Sequence, residues 1–412
     1  MNHIGIYLTN LSNKDLIIEQ IMGNTFLQNH IDVSELKPAL YSQITINQLI
    51  DNELRHDAFI IKTNENYGLV TMSNGQQKRA LLTYIITQKP NFIILDDIYS
   101  NIDKETQISI TETLQKLSEK TLLIQLLYRK KDLLTNIKTV LIVDENNSII
   151  KVEASNDFLK QNSALSNNSL GFSLPKLFTE RTSSQNPLIQ FNSVHSSYGE
   201  KVVLKDINWT INSGEFWHLV GPNGSGKSTL LSLITGDNPR AYGENLVLFG
   251  KKKGTGETLF QIKKKIGYFT PTMIFQFNHD DTVENMIISG FVDSVGLYTV
   301  PSGVHKVVAN EWLAILGDSF RHKTFRSLSM GQQRIVLIVR AMVKFPQLLI
   351  LDEPTVGLDD YNCQLFISLI NTIATEKEIA ILYVSHRDEE GLKPDSVFEL
   401  IPSSQGSTGI IR

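Results

Sequence analysis

The stretch Gly221-Pro222-Asn223-Gly224-Ser225-Gly226-Lys227-Ser228-Thr229 decides how this chain is read, because it fits the pattern G-x-x-x-x-G-K-[ST]. Before it, Phe216 to Val220 forms a short apolar run with the look of a buried strand. After it, Leu230-Leu231-Ser232-Leu233-Ile234 opens a helix that Gly236 closes. Glycines let the backbone turn inward so that successive N–H groups face an anion, and the helix N-terminus adds the positive end of its dipole. Lys227 would then neutralise the β- and γ-phosphates of ATP, and the Ser228 hydroxyl would ligate Mg²⁺. The bland alternative is a glycine-rich turn that merely precedes a helix. The residues further along argue against it.

Leu348 to Leu351, followed by Asp352 and Glu353, read as a central parallel strand ending in two carboxylates. In phosphate-loop enzymes the first carboxylate holds the water shell of Mg²⁺, and the second can polarise an attacking water. Pro354 and the turn Gly357-Leu358-Asp359 follow directly, so a strand simply running out into solvent is the weaker reading. Ser329-Met330-Gly331-Gln332-Gln333 precedes this strand, Tyr383-Val384-Ser385-His386 ends a later one, and Tyr198 lies 23 residues before Gly221. In this order they resemble the signature, the histidine loop and the adenine-stacking aromatic of ATP-binding-cassette (ABC) ATPases. The resemblance implies that Gly221 to Thr229 and Tyr198 bind ATP, that Glu353 is the catalytic base and that His386 contacts the γ-phosphate. It also implies that Ser329, Gly331 and Gln332 are the signature of this half. One family feature is missing. Thr270-Pro271-Thr272 stands where a glutamine loop normally follows a strand such as Ile266-Gly267-Tyr268-Phe269, and whether Gln276 replaces it stays open.

The chain also repeats itself. A shift of 256 positions carries Ser327-Leu328-Ser329-Met330-Gly331-Gln332-Gln333 onto Thr71-Met72-Ser73-Asn74-Gly75-Gln76-Gln77, and Leu348 to Glu353 onto Phe92 to Asp97. One offset serving two motifs marks the halves as copies of one fold. The first copy is damaged. A shift of 213 puts Lys14 on Lys227 and Gly23 on Gly236, but the segment between, Leu8-Thr9-Asn10-Leu11-Ser12-Asn13-Lys14-Asp15-Leu16, has lost every glycine of the loop. Positive φ and close phosphate approach then become costly. Asp15 replaces the Mg²⁺-binding serine, Asp97 is one methylene shorter than Glu353, and Tyr128 stands where His386 would be. This half is expected not to bind nucleotide in its own loop. Its first strand begins within the first few residues, so the preceding β-region and its aromatic are expected to be absent. Its signature is intact. Ser73 could be merely a helix N-cap, but cassettes of this family close head to tail, each signature covering the partner's phosphate loop. Ser73, Gly75 and Gln76 would then complete the ATP site built on Lys227.

The fold expected is α/β, two phosphate-loop cassettes in tandem, each a mostly parallel sheet with flanking helices and a helical signature arm. Residues 1–155 form the degenerate copy, 156–188 a polar linker rich in Asn, Ser, Gln and Thr, and 189–412 the intact ATPase, with an antiparallel β-region near 189–215. A length of 412 residues suffices for two cores, and a formal net charge of −4 offers no global basic field for nucleic acid. The single cysteine, Cys363, fits a reducing cytosol, and neither a signal peptide nor a membrane-spanning run is evident. The chain is therefore expected in the cytoplasm, with a peripheral place at the inner membrane as a variant. The run Val283 to Tyr298, then Trp312-Leu313-Ala314-Ile315-Leu316-Gly317, resembles the molybdate-associated, photorepair-labelled tandem ATPases called ModF. The resemblance implies an Mg²⁺-dependent ATPase whose two halves pair within one chain. Two other classes stay open: the energising subunit of an importer on a separate permease, molybdate being one cargo, and an ATPase acting in translation or DNA repair. Lys251-Lys252-Lys253 and Lys263-Lys264-Lys265 form a local basic cluster better read as a solvated face than as a nucleic-acid patch.

Overall fold

The computed structural model describes residues 1–56, 59–61, 68–160, 174–175, 186–277, 280–317 and 320–412. The chain divides into two compact units, Met1–Ser166 with Gly357–Tyr361, and Asn167–Val356 with Asn362–Arg412.

The first unit runs β1 (Ile4–Tyr7), α1 (Lys14–Met22), β2 (Pro38–Tyr41), α2 (Gln43–His56), α3 (Asn74–Thr87), β3 (Phe92–Asp96), α4 (Lys104–Leu117), β4 (Leu122–Leu127), β5 (Thr139–Val143), β6 (Ile149–Ala154) and α5 (Ser155–Lys160). Its six strands form one sheet in the order β2-β3-β4-β1-β5-β6, parallel except for the β5–β6 pair. Phe92-Ile93-Ile94-Leu95 is apolar without alternation because both faces of a central parallel strand are covered. Successive residues serve opposite faces: Ile93 and Leu95 join one core with Leu81 and Ile110, while Phe92 and Ile94 join another with Ile17 and Ile21 of α1. Of the stretch expected as a linker, residues 161–173 and 176–185 lie outside the described residues. Its first residues complete α5, and Phe158 is buried there against Tyr7, with ring centroids 5.1 Å apart.

The second unit runs β7 (Ile189–Tyr198), β8 (Lys201–Ile211), β9 (Phe216–Val220), α6 (Lys227–Thr235), β10 (Leu246–Leu248), β11 (Lys251–Lys252), α7 (Leu259–Lys264), β12 (Ile266–Phe269), α8 (Val283–Ser289), α9 (Gly303–Leu316), α10 (Met330–Met342), β13 (Leu348–Asp352), α11 (Asp360–Thr375), β14 (Ala380–Val384), β15 (Ser396–Ile401) and β16 (Thr408–Ile411). The main sheet has the order β12-β13-β14-β9-β15-β16, again antiparallel only at its last pair. Strand for strand this is the order of the first unit, so the repeat seen in the motifs is a repeat of the fold. The second unit adds an antiparallel sheet, β11-β10-β7-β8, where the sequence placed one. Trp209 of β8 ties the two sheets together. Its ring stacks on Phe398 of β15 at 4.2 Å between centroids and meets Trp217 of β9 edge-on at 5.5 Å.

Candidate active site

The phosphate loop hangs between β9 and α6. Gly224 and Gly226 have φ of 79° and 96°, a left-handed conformation that side chains resist. A Cβ at Gly226 would also stand 2.8 Å from Leu204 Cδ2. Glycine is therefore required twice over at that position. Gly226 offers no side chain to cap α6, so the first N–H groups of this helix have no side-chain cap at its N-cap and can serve an anion. The Lys227 ammonium lies inside the loop, donating to the carbonyls of Gly221 at 2.7 Å and Pro222 at 3.1 Å. Pro222, Asn223 and Gly224 are exposed, as is Ser228 in the first turn of α6, while Ser225 is buried and Thr229 half-buried.

β13 delivers the two carboxylates. The register that sets Asp352 opposite Val384 brings the end of β13 beside the end of β14. Glu353 N–H donates to Val384 O at 2.8 Å, and Glu353 itself turns to a φ of 47°. Its carboxylate accepts from Ser385 Oγ at Oε2 and from the His386 backbone N–H at Oε1, both at 3.1 Å, and His386 Nε2 lies 3.7 Å from Oε1. Burial pushes the Glu353 carboxyl up to about 7 against these bonds, and burial pushes Asp352 up to about 6 against the pull of Lys227. The structure thus gathers Lys227, Asp352, Glu353 and His386 in one place. A group with a pKa near 7 is suited to taking and releasing a proton at neutral pH.

The remaining candidates sit around this cluster or apart from it. Tyr198 ends β7, half exposed, and its hydroxyl accepts from Asn238 Nδ2 at 3.2 Å; Asn238 in turn donates to Ser232 Oγ of α6. The Arg240 guanidinium lies over one ring face at 4.1 Å, a cation–π contact that the sequence did not signal. Gln276 is exposed at the end of a short 3-10 segment, Pro271–Gln276. Ser329 caps α10: its Oγ accepts from Gln332 N–H, and the Gln332 side chain returns to Ser329 N–H, with Gly331 buried behind them.

For Mg²⁺, the hydroxyl of Ser228 and the carboxylate of Asp352 are hard oxygen donors of the right kind. Among the described residues no group of three or more His, Cys, Asp or Glu could hold a metal unaided. The donor set fits an ion that takes most of its ligands from water and phosphate.

The counterpart in the first unit is built from the same strands and closed by different chemistry. At the start of α1, Asn13 replaces Gly226, has an ordinary φ of −84°, and its side chain accepts from Leu16 N–H at 3.2 Å. Lys14 Nζ bonds Asp96 Oδ2 at 2.9 Å. Burial opposes the charge on Lys14, but the Asp96 carboxylate outweighs it and holds the ammonium above its ordinary pKa. Asp97 has the same φ of 47° as Glu353. Tyr128 is largely buried, which pushes its hydroxyl above the usual range. Ser73 caps α3 with the same reciprocal pair of bonds, to Gln76, that Ser329 makes. Gly75 is buried against Thr106, whose Oγ1 would lie 3.2 Å from a Cβ placed there.

Fold, glycine loop and paired carboxylates define a phosphate-loop nucleoside triphosphatase. The family model described as ABC transporter matches residues 204–356. The chain is 34% identical over 364 residues to the ABC transporter ATP-binding protein ModF of Escherichia coli K12, covering 84% of this chain and 74% of that one. It is 30% identical over 332 residues to the ABC transporter ATP-binding protein C323.04 of Schizosaccharomyces pombe, covering 78% and 66%. Among solved structures, the archaeal ribosome recycling factor aABCE1 in complex with the stalk protein aP1 superposes with a TM-score of 0.64 at 15% identity, over 99% of this chain and 85% of that one. That likeness concerns the fold alone. The chain belongs to the ABC family of ATPases, in the tandem form that the sequence resembles. No helix among the described residues is long and apolar enough to cross a membrane.

Proposed function

We propose that this ATPase hydrolyses ATP at one competent site, built on Gly221 to Thr229 and completed by the signature of the other half, Ser73, Gly75 and Gln76. The observation that carries the reading is the difference between the two helix starts. α6 follows a glycine loop and has no side-chain cap, whereas α1 is capped by Asn13 and its lysine is paired with Asp96. In the working half, the N–H groups of the loop and the Lys227 ammonium bind the β- and γ-phosphates, and Tyr198 stacks on adenine. Glu353 accepts a proton from water as the water oxygen attacks the γ-phosphorus, the bond to the bridging oxygen breaks, and ADP and phosphate leave. His386 steadies the γ-phosphate. Ser228 and, through water, Asp352 would hold Mg²⁺, which would supply neutralisation of phosphate charge. The molecular unit of hydrolysis is then the whole chain, with ATP drawing its halves together.

Replacing Ser73 with Arg tests the composite site. ATP turnover should fall to background while ATP affinity changes less than about threefold; unchanged turnover would remove Ser73 from the site. A second reading, an importer ATPase working on a separate permease, is favoured by the likeness to the Escherichia coli ABC transporter ATP-binding protein and by Phe275, 73% exposed beside Gln276. A permease that co-purifies with the Glu353→Gln variant and is lost on Phe275→Ala would support it.

A further inference from the structure

We propose that His218 is a positioning residue for the catalytic base, acting through the peptide that joins Ser385 to His386. The inference rests on the reading of Glu353 as that base. His218 lies in β9, three residues before the phosphate loop, between the apolar Trp217 and Leu219, and is only 7% exposed. An imidazole in a strand core must find a partner. Its Nε2 stands 3.2 Å from the carbonyl oxygen of Ser385. A carbonyl can only accept, so Nε2 carries the proton. The ring packs on Tyr383 at 4.9 Å between centroids, and the Tyr383 hydroxyl donates to Arg387 O at 3.4 Å.

The Ser385 carbonyl and the His386 N–H are two ends of one peptide plane. His218 holds the first end, and the second donates to Glu353 Oε1. Ser385 Oγ, which accepts from Arg387 N–H, donates to Oε2. Both oxygens of the carboxylate are thus gripped by residues 385 and 386, and the plane of that grip is pinned by His218. A donor on the carbonyl also polarises the peptide and strengthens its N–H as a donor.

A satisfied core histidine with no further role is the competing explanation, and the repeat argues against it. Asp352 pairs with Val384 and Tyr383 with His218; in the first unit Asp96 pairs with Leu126 and Gln125 with Gly5. The counterpart of His218 is therefore Gly5, where even a Cβ would lie 3.1 Å from Leu133 Cδ1. The half that has Asp97 and Tyr128 in place of the base and the histidine loop also has no imidazole in the strand. The histidine accompanies the chemistry, not the fold.

The test uses the full chain with four substitutions: His218→Leu and His218→Phe, which remove the donor, His218→Gln, which keeps one, and Glu353→Gln. The donor-less variants should lose about ten- to a hundredfold in kcat, as misplacement of a reacting group by an ångström does, with the dissociation constant for ATP within about twofold of wild type. His218→Gln should recover most of the loss. Wild-type kcat in His218→Leu or His218→Phe overturns the proposal, as does a loss of ATP affinity in step with kcat that Gln does not rescue. A readout without change at 218 is the Nε2–H proton of His218 in histidine-labelled protein. It should shift on Glu353→Gln, and a fixed resonance counts against the shared peptide. If Glu353→Gln turns over like wild type, the base assignment fails. If it is inactive while His218→Leu is normal, only the positioning role fails.

Discussion

At the end of β9 the chain turns through Gly224 and Gly226 at positive φ and enters α6 with no side-chain cap on its first N–H groups. At the end of β1 the corresponding turn has no glycine, and α1 starts under the Asn13 side chain. The lysines that follow diverge in the same sense. Lys227 donates to two backbone carbonyls of its own loop, which a phosphate can displace, and its charge also favours the ionised forms of Asp352 and Glu353. Lys14 is paired with a carboxylate that is 3% exposed, and a phosphate would have to break an ion pair and leave a buried anion behind. Two six-stranded sheets of the same strand order therefore carry one helix start without a side-chain cap and one capped by its own Asn13. In the first half the helix donors and the cation are taken up internally, by Asn13 and Asp96.

The comparison can be broken at several points. Lys227→Ala should weaken ATP binding by at least about a hundredfold, the worth of charge-assisted bonds to two phosphates, whereas Lys14→Ala should leave it unchanged. Equilibrium titration with a fluorescent ATP analogue reads both, and a binding defect in Lys14→Ala would restore the first loop as a nucleotide site. Glu353→Gln should lower kcat by about 10²- to 10⁴-fold and Asp97→Asn should not. Because burial raises the Glu353 carboxyl to about 7, the base is protonated and idle below that pH. Wild-type kcat/KM should therefore fall about tenfold per unit as pH drops below about 7, and that slope should vanish in Glu353→Gln.

Smaller effects test the closed half. Lys14→Met strands the Asp96 carboxylate and should cost on the order of 2 kcal/mol, less than the about 3–5 kcal/mol of fully buried pairs, because the lysine side chain is 28% exposed. Adding Asp96→Asn should recover much of the loss, read as urea midpoints; no recovery would mean that the pair is not what Lys14 contributes. Asn13→Ala should cost about 1 kcal/mol, the usual worth of such a cap, without touching ATP turnover.

The fold was legible because its decisive residues answer to backbone geometry. Gly224 and Gly226 are where φ must be positive, Leu348 to Leu351 is where a strand is covered on both faces, and one offset carried that strand and the signature before it into the first half. The ATPase class and the tandem arrangement followed from these. The ion pair between Lys14 and Asp96 was not legible, since 82 residues separate them and only the sheet brings them together. Asn13 could have been noticed: an Asn just before an apolar-periodic helix is a cap signal, but the missing glycines drew attention to what the loop had lost. His218 looked like one more residue of a strand, and its meaning lies in a partner 167 positions away. The polar composition after residue 155 concealed a helical turn, because Phe158 alone faces the core.

The shared φ of 47° at Asp97 and Glu353 has a further consequence. In the second half the left-handed turn aims the Glu353 carboxylate at Ser385 and His386. In the first half the same turn stores strain of about 1 kcal/mol, and it is kept in shape by Lys78, whose ammonium binds the carbonyls of Asp97, Ile98 and Ser100. That makes position 97 an engineer's foothold: a glycine there would relax the backbone, and the tandem could be hardened from its first half.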